Sequence, residues 1–162
     1  MRGALIPESH RDAPNPEESR RYPKRPLVGV GALVFADADQ GILLVERGKE
    51  PLKGFWSLPG GLLEVGEKLN DAVRREVQEE TGLQVEPISL FEIFERIMPD
   101  AEGRPEYHYV LIDYLCRVVG GQVRAASDVS RVAWVPQRSL QDFRLTEGTQ
   151  AVIERAFAKL QL

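Results

Sequence analysis

The chain has 162 residues, 43% apolar and 28% charged, with a formal net charge of −4, the size and texture of one soluble globular domain. The acidic balance argues against a nucleic-acid backbone as partner, since such domains carry a basic excess. No apolar run approaches the roughly 20 residues needed to span a bilayer, and the lone cysteine, Cys116, excludes an intrachain disulfide framework and disfavours a cysteine zinc site.

Residues 1–26 hold five prolines (Pro7, Pro14, Pro16, Pro23, Pro26) among many charges. They read as a tail, extended or disordered. The opening MRGALIPESH has too short an apolar stretch for a signal peptide, so a cytoplasmic location is the expectation. From Leu27 the texture changes. LVGVGALVFA reads as a strand, DADQG as a turn and ILLVER as a second strand, which together predict a hairpin. RGKEPLKGFWSLPGG is a Gly- and Pro-rich loop with a short strand around Trp56–Leu58.

A helix is predicted from Gly66 to Thr81, with Gly66 as N-cap, Glu67 at the positive dipole end and Gly82 at C′. Leu69, Ala72, Val73 and Val77 form its apolar stripe. Beyond it, VEPISLFEIFERI and YHYVLIDYLCRVV read as strands around the loop MPDAEGRPE, followed by a turn at Gly120–Gly121. RVAWVP is a short strand and Ser139 to Leu145 a helical turn. TEGTQAVIERAFAKL is a closing helix that buries Val152, Ile153, Ala156, Phe157 and Leu160. Strands between two well-separated helices predict an α/β domain with a mixed sheet between helices. Cys116, inside an apolar strand, reads as a buried and inert thiol, and Trp134 as core.

One feature resists a purely structural account. At about 100° per residue, Glu76 and Glu80 fall within about 20° of Leu69, inside the apolar stripe, and Glu79 borders it. Partly buried carboxylates cost several kcal/mol each unless paired or bound to metal. On the same wheel Arg74 points away and Arg75 borders only Glu79, so the arginines do not neutralise all three acids. A divalent cation does. An all-oxygen site favours Mg²⁺, with Mn²⁺ as substitute. Gly60 and Gly61 in the preceding LPGG let the backbone approach a ligand closely. Mg²⁺ held by carboxylates also binds substrate phosphates, which points to phosphoryl chemistry.

Gly61, Glu67, Arg75-Glu76-Val77, Glu79-Glu80 and Gly82-Leu83 stand at the spacings of a complete Nudix box, seven fixed residues and two aliphatic positions over 23 residues. The stretch from Leu27 to Leu162 resembles the Nudix hydrolase family. The resemblance implies an α/β/α sandwich with a mixed central sheet, occupying residues 27–162. It implies hydrolysis of a nucleoside diphosphate linked to a moiety X, a nucleotide small molecule as the binding partner, and a homodimer as one available assembly. It assigns Mg²⁺ to Glu76, Glu79, Glu80 and the carbonyl of Gly60, makes Glu76 and Glu80 essential to catalysis, and gives Glu67 and Arg75 supporting roles. The general base is Glu76 or a later loop acid. Asp100, Glu102, Glu106, Asp128 and Glu147 are the candidates, and Asp128 is favoured because an acid shortly before the Trp-containing strand often completes the site in relatives.

Pro99, 16 residues after Leu83 (99 − 83), resembles the ADP-ribose pyrophosphatase branch. A nucleoside triphosphate pyrophosphohydrolase of the sanitising type and a non-catalytic nucleotide sensor are the alternatives. Tyr107, His108 and Tyr109 alternate in direction, so at least one is expected to face substrate if the strand lines the site.

Overall fold

The computed structural model describes residues 20–36, 41–126 and 129–160. Seven strands and two helices follow in the order β1 (Leu27–Val34), β2 (Ile42–Arg47), β3 (Trp56–Ser57), β4 (Gly60–Leu62), α1 (Leu69–Thr81), β5 (Leu83–Pro99), β6 (Pro105–Gly121), β7 (Val129–Val135) and α2 (Thr149–Leu160). A 3-10 turn over Gln137–Asp142 precedes α2, ending before the predicted limit of Leu145. Among the described residues, no helix is long and apolar enough to cross a membrane.

The strands form two sheets, one ordered β4-β1-β6-β5 and the other β3-β2-β7. β1 runs parallel to β6, and the other pairings are antiparallel. The expected β1–β2 hairpin is not formed. β1 pairs with β4 and β6, while β2 pairs with β3 and β7, and the two meet only at the isolated bridge Phe35↔Ile42. Both are continuous apolar runs buried on both faces, and such runs belong to interior strands with neighbours on each side. The predicted turn at Gly120–Gly121 is also absent. These residues continue β6 and pair with Gln84 and Leu83.

The sheets share one layer between the helices. Val30, Ala32 and Val34 of β1 pack with Leu43, Cys116 and the α1 residues Ala72, Val73 and Val77, with Trp134 partly buried against them. Leu33, Ile42, Leu44 and Trp56 pack on the other side with Ile153, Ala156 and Phe157 of α2. This is the α/β/α sandwich with a mixed sheet that the sequence predicts. Full burial of each Val, Leu or Ile contributes about 1.5–3 kcal/mol, so these two clusters hold both helices on the strands. Cys116 is buried and its thiol is pushed up to about 12 by burial, which keeps it protonated and inert.

α1 starts at Leu69, and its N-cap is Lys68 rather than Gly66. Gly66 lies in the preceding turn at φ +84. Gly82 ends the helix at φ 72, its N–H donating to the Gln78 carbonyl at 3.0 Å. Tyr22, ahead of β1, is tied to the β5–β6 loop and the start of β6. Its N–H donates to the Glu106 carbonyl at 2.7 Å and its hydroxyl to Asp100 at 2.8 Å.

Candidate active site

α1 delivers two carboxylates to a cleft. Glu76 and Glu80 line it together with Gly60 and Gly61, the residues that open β4. Both acids lie one helical turn apart on the face that carries Val73 and Val77, so the packing of that face against the sheet aims them inward. The Gly60 N–H donates to Glu80 Oε2 at 2.9 Å. A Cβ on Gly61 would stand 2.5 Å from the Glu76 carboxyl carbon and both its oxygens. Glycine at 61 is therefore the space in which the Glu76 carboxylate lies.

Arg75 organises the acids, and it reaches further than the helical wheel suggests. Its Nε and Nη2 donate to the two oxygens of Glu67 at 2.8 and 2.9 Å. Its Nη1 donates to Glu76 Oε1 at 2.7 Å and, more weakly, to Glu79 Oε2 at 3.4 Å. Nη2 also meets the Leu62 carbonyl at 3.1 Å. The paired carboxylates, Glu67 foremost, push the Arg75 pKa up, and Arg75 holds Glu67 below its ordinary value. Glu67 precedes the helix, which starts at Leu69, rather than lying in its first turn as predicted. It turns toward the acids, and its Oε2 also accepts the Glu64 N–H at 3.1 Å.

Glu79 is the outlier of the trio, its side chain 51% exposed. Among the described residues no three carboxylate, imidazole or thiol groups gather in a geometry that would hold a metal ion. The donor chemistry nevertheless fits a hard divalent cation. Glu76 and Glu80 offer carboxylate oxygens on one side of the cleft, and the glycine pair beside them presents peptide groups with no side chain in the way.

The floor of the cleft comes from the first sheet. Phe94, Arg96 and Met98 of β5 and Tyr109, Leu111 and Asp113 of β6 all line it. Gly29 and Gly31 of β1, opposite Leu111 and Asp113 in register, leave room for those side chains. A Cβ on Gly31 would stand 2.2 Å from Asp113 Oδ1. Of Tyr107, His108 and Tyr109, it is Tyr109 that faces the cleft. Tyr107 stacks on it with centroids 6.3 Å apart, and His108 pairs with Glu95 at 2.9 Å.

The loop acids separate. Glu147 lines the cleft. Asp100, Glu102 and Glu106 lie around the β5–β6 loop, engaged by Arg104, Tyr22 and Arg21. Asp128 lies outside the described residues. Two cleft residues escape sequence reasoning, Asp113 and Arg96. The available signal is the single charge inside the apolar run YVLIDYLC and, for Arg96, the one cation among the charges of LFEIFERI.

Asp113 is buried, and burial, then the charge of Glu92, pushes its pKa up from 3.8 to about 6. A carboxyl whose folded value is raised binds its proton more tightly in the native state. Its stabilising effect is complete below the unfolded value and is lost as pH rises through about 6. The interval corresponds to about 3 kcal/mol. Asp113→Asn is therefore expected to be more stable than the parent above pH ~7 and equal to it below pH ~4, by chemical denaturation in EDTA. A stability difference that is flat with pH would sink this assignment.

A sequence profile described as NUDIX domain matches residues 25–156. The chain belongs to the Nudix family. An ADP-ribose pyrophosphatase of Methanocaldococcus jannaschii is 35% identical over 115 residues, covering 71% of this chain and 64% of that protein. The 8-oxo-dGDP phosphatase NUDT18 of Mus musculus is 32% identical over 111 residues, 66% of this chain and 32% of its own length. The chain thus spans less than two thirds of either Nudix relative. The crystal structure of a MutT NUDIX hydrolase from Burkholderia pseudomallei superimposes with a TM-score of 0.70 at 31% identity, over 81% of this chain and 98% of that one.

Proposed function

We propose that the chain hydrolyses the diphosphate linkage of a nucleoside diphosphate joined to a second group, with ADP-ribose as the leading substrate. The observation that carries this reading is the pair Glu76 and Glu80 facing a cleft across Gly60 and Gly61, with Arg75 bonded to Glu76. The choice of ADP-ribose is supported by the name of the Methanocaldococcus relative and by Pro99.

In this reading Glu76, Glu80 and the Gly60 carbonyl hold a divalent cation, Mg²⁺ or Mn²⁺, with Glu79 turning in from its exposed position. Bound there, such an ion neutralises charge on phosphoryl oxygens and acidifies water. Glu67 and Arg75 hold the Glu76 carboxylate in one orientation. The attacking water gives its proton to Asp128 or to Glu76, its oxygen bonds to phosphorus, and the bond from phosphorus to the bridging oxygen breaks. Asp128→Asn is expected to lose well over tenfold in kcat. A loss well under that, beside a severe loss in Glu76→Gln, would leave Glu76 as the base.

A second reading, a nucleoside triphosphate pyrophosphohydrolase of the sanitising type, draws support from the name of another relative, the nucleoside triphosphatase NudI of an Enterobacter species, 32% identical over 110 residues. That reaction uses the same acids. A panel of ADP-ribose, NADH, diadenosine polyphosphates and oxidised dGTP with Mg²⁺ separates the two by kcat/KM. Turnover of none of them, or turnover that survives EDTA, would refute the hydrolase reading and favour a nucleotide sensor. Residues 27–162 as the hydrolase unit, 1–26 as its tail, a homodimer and a cytoplasmic location complete the proposal.

A further inference from the structure

Among the described residues, six arginines are ion-paired with carboxylates: Arg21, Arg74, Arg75, Arg104, Arg131 and Arg155. Three that line the cleft, Arg20, Arg47 and Arg96, form no ion pair with a described carboxylate. All three are half-buried, so water does not solvate them as it does exposed residues such as Arg117. Neutral carbonyls hold two of them. Arg47 Nε donates to the Pro51 carbonyl at 3.0 Å, and Arg96 Nη2 donates to the Glu147 carbonyl. A carbonyl fixes the direction of a guanidinium without cancelling its charge.

Arg96 is the least satisfied of the three. Among the described residues, its Nε is the one buried side-chain nitrogen or oxygen without a hydrogen-bond partner. Nothing about its placement is loose. The guanidinium lies 5.5 Å from the Phe94 ring centroid. Phe94 in turn fills the space over Gly148, where a Cβ would stand 2.7 Å from its Cζ. A buried donor left unpaired is costly; the charge of Arg47 adds repulsion, while Glu147 and Asp113 attract the guanidinium without bonding its Nε. An anionic oxygen within reach of Nε removes that deficit. A planar fork of N–H groups is the donor geometry that suits phosphoryl oxygens.

We infer that Arg96, with Arg47 and Arg20 beside it, forms an oxyanion subsite that receives phosphoryl oxygens of the bound nucleotide. It stands on β5 and the end of β2, on elements separate from the α1 acids. Arg96 is thus a substrate-binding residue that sets specificity for phosphorylated ligands. The inference rests on the hydrolase reading for its natural substrate, but binding at the subsite needs neither metal nor turnover.

Calorimetric titration of ADP in excess EDTA tests it. The parent chain should bind, and Arg96→Met should weaken Kd by at least about tenfold, the lower end for one charged hydrogen bond. Arg96→Lys should recover part of the loss, and Arg138→Met, on the exposed 3-10 turn, should leave Kd within about twofold. If Arg96→Met fails to fold by circular dichroism, Arg47→Met takes its place with the same expectation. With substrate and Mg²⁺, Arg96→Met should raise KM more than it lowers kcat. Absence of ADP binding by the parent in EDTA, or an unchanged Kd in a folded Arg96→Met or Arg47→Met, overturns the inference. Glu80→Gln keeps the two readings apart, because it should retain ADP binding in EDTA. Full turnover by Glu80→Gln would count against the hydrolase site and leave the oxyanion subsite standing.

Discussion

Replacing Glu80 by Gln is expected to lower kcat by about 10²- to 10³-fold, the usual loss when one preorganised charge-stabilising group is removed. The fold should survive. Gln keeps an oxygen able to accept the Gly60 N–H that Glu80 now accepts at 2.9 Å, and the apolar neighbours Val73 and Val77 are untouched. What is lost is one negative charge facing the cleft. The dependence on Mg²⁺ concentration should therefore shift upward together with the fall in kcat, and Tm in EDTA should stay level or rise, since the acids repel one another without a cation. A variant retaining more than a tenth of parental kcat would remove Glu80 from the proposed site.

The second large effect is expected at Arg75. One guanidinium serves Glu67, Glu76 and Glu79 and the Leu62 carbonyl. Arg75→Ala leaves three carboxylates facing one another, and the folded state should lose about 2–3 kcal/mol. That is less than the roughly 3–5 for a fully buried pair, because the side chain keeps 24% exposure. Arg75→Lys should recover little, since a point charge does not supply the forked contact to both oxygens of Glu67. kcat should fall about 10²-fold through misplacement of the Glu76 carboxylate. Denaturation with and without Mg²⁺ is the informative measurement. Added cation should stabilise the variant more than the parent, because it replaces the missing positive charge. Equal stabilisation of both proteins would show that Arg75 and the cation do not share the acids.

Legibility from sequence followed distance along the chain. The inward aim of Glu76 and Glu80 could be read because both lie in one regular helix with Leu69, Val73 and Val77. Glu67 could not be placed by the same wheel, because it precedes the helix and is folded back by Arg75. Arg75 reaches beyond its place on the wheel for a related reason: an angle locates a Cβ, and a long side chain swings well past it. β1 and β2 read as a hairpin because adjacent apolar runs give no sign of which sheet each will enter. Asp113 and Arg96 were hidden more deeply. What makes them cleft residues is the register of β5 on β6 and of β6 on β1, and no local pattern encodes a pairing between segments so far apart. The placing of Tyr109 and Leu111 in the cleft has the same origin.

The division of the strands between two sheets bears on how this cleft accommodates cargo of different bulk. Arg47, Val45 and Ser57 belong to one sheet, and Gly60, Arg96 and Asp113 to the other, yet both sets border the same space. Between β1 and β2 the two sheets are stitched by the single bridge Phe35↔Ile42. Beside the cleft they are also joined by the short link Leu58–Pro59 between β3 and β4 and by the Ala32 N–H donating to the Pro59 carbonyl at 2.9 Å; elsewhere the spacing follows how Leu33, Leu44 and Ile153 nest together. Side-chain volume is easily altered by substitution, whereas a ladder of backbone bonds is not. A methylene gained or lost beneath α2 retunes the gap between the walls while the acids on α1 stay where they are. The α1 side and the α2 side pack in separate clusters, so substitutions beneath α2 are expected to alter the gauge of the opening more than the placing of the acids.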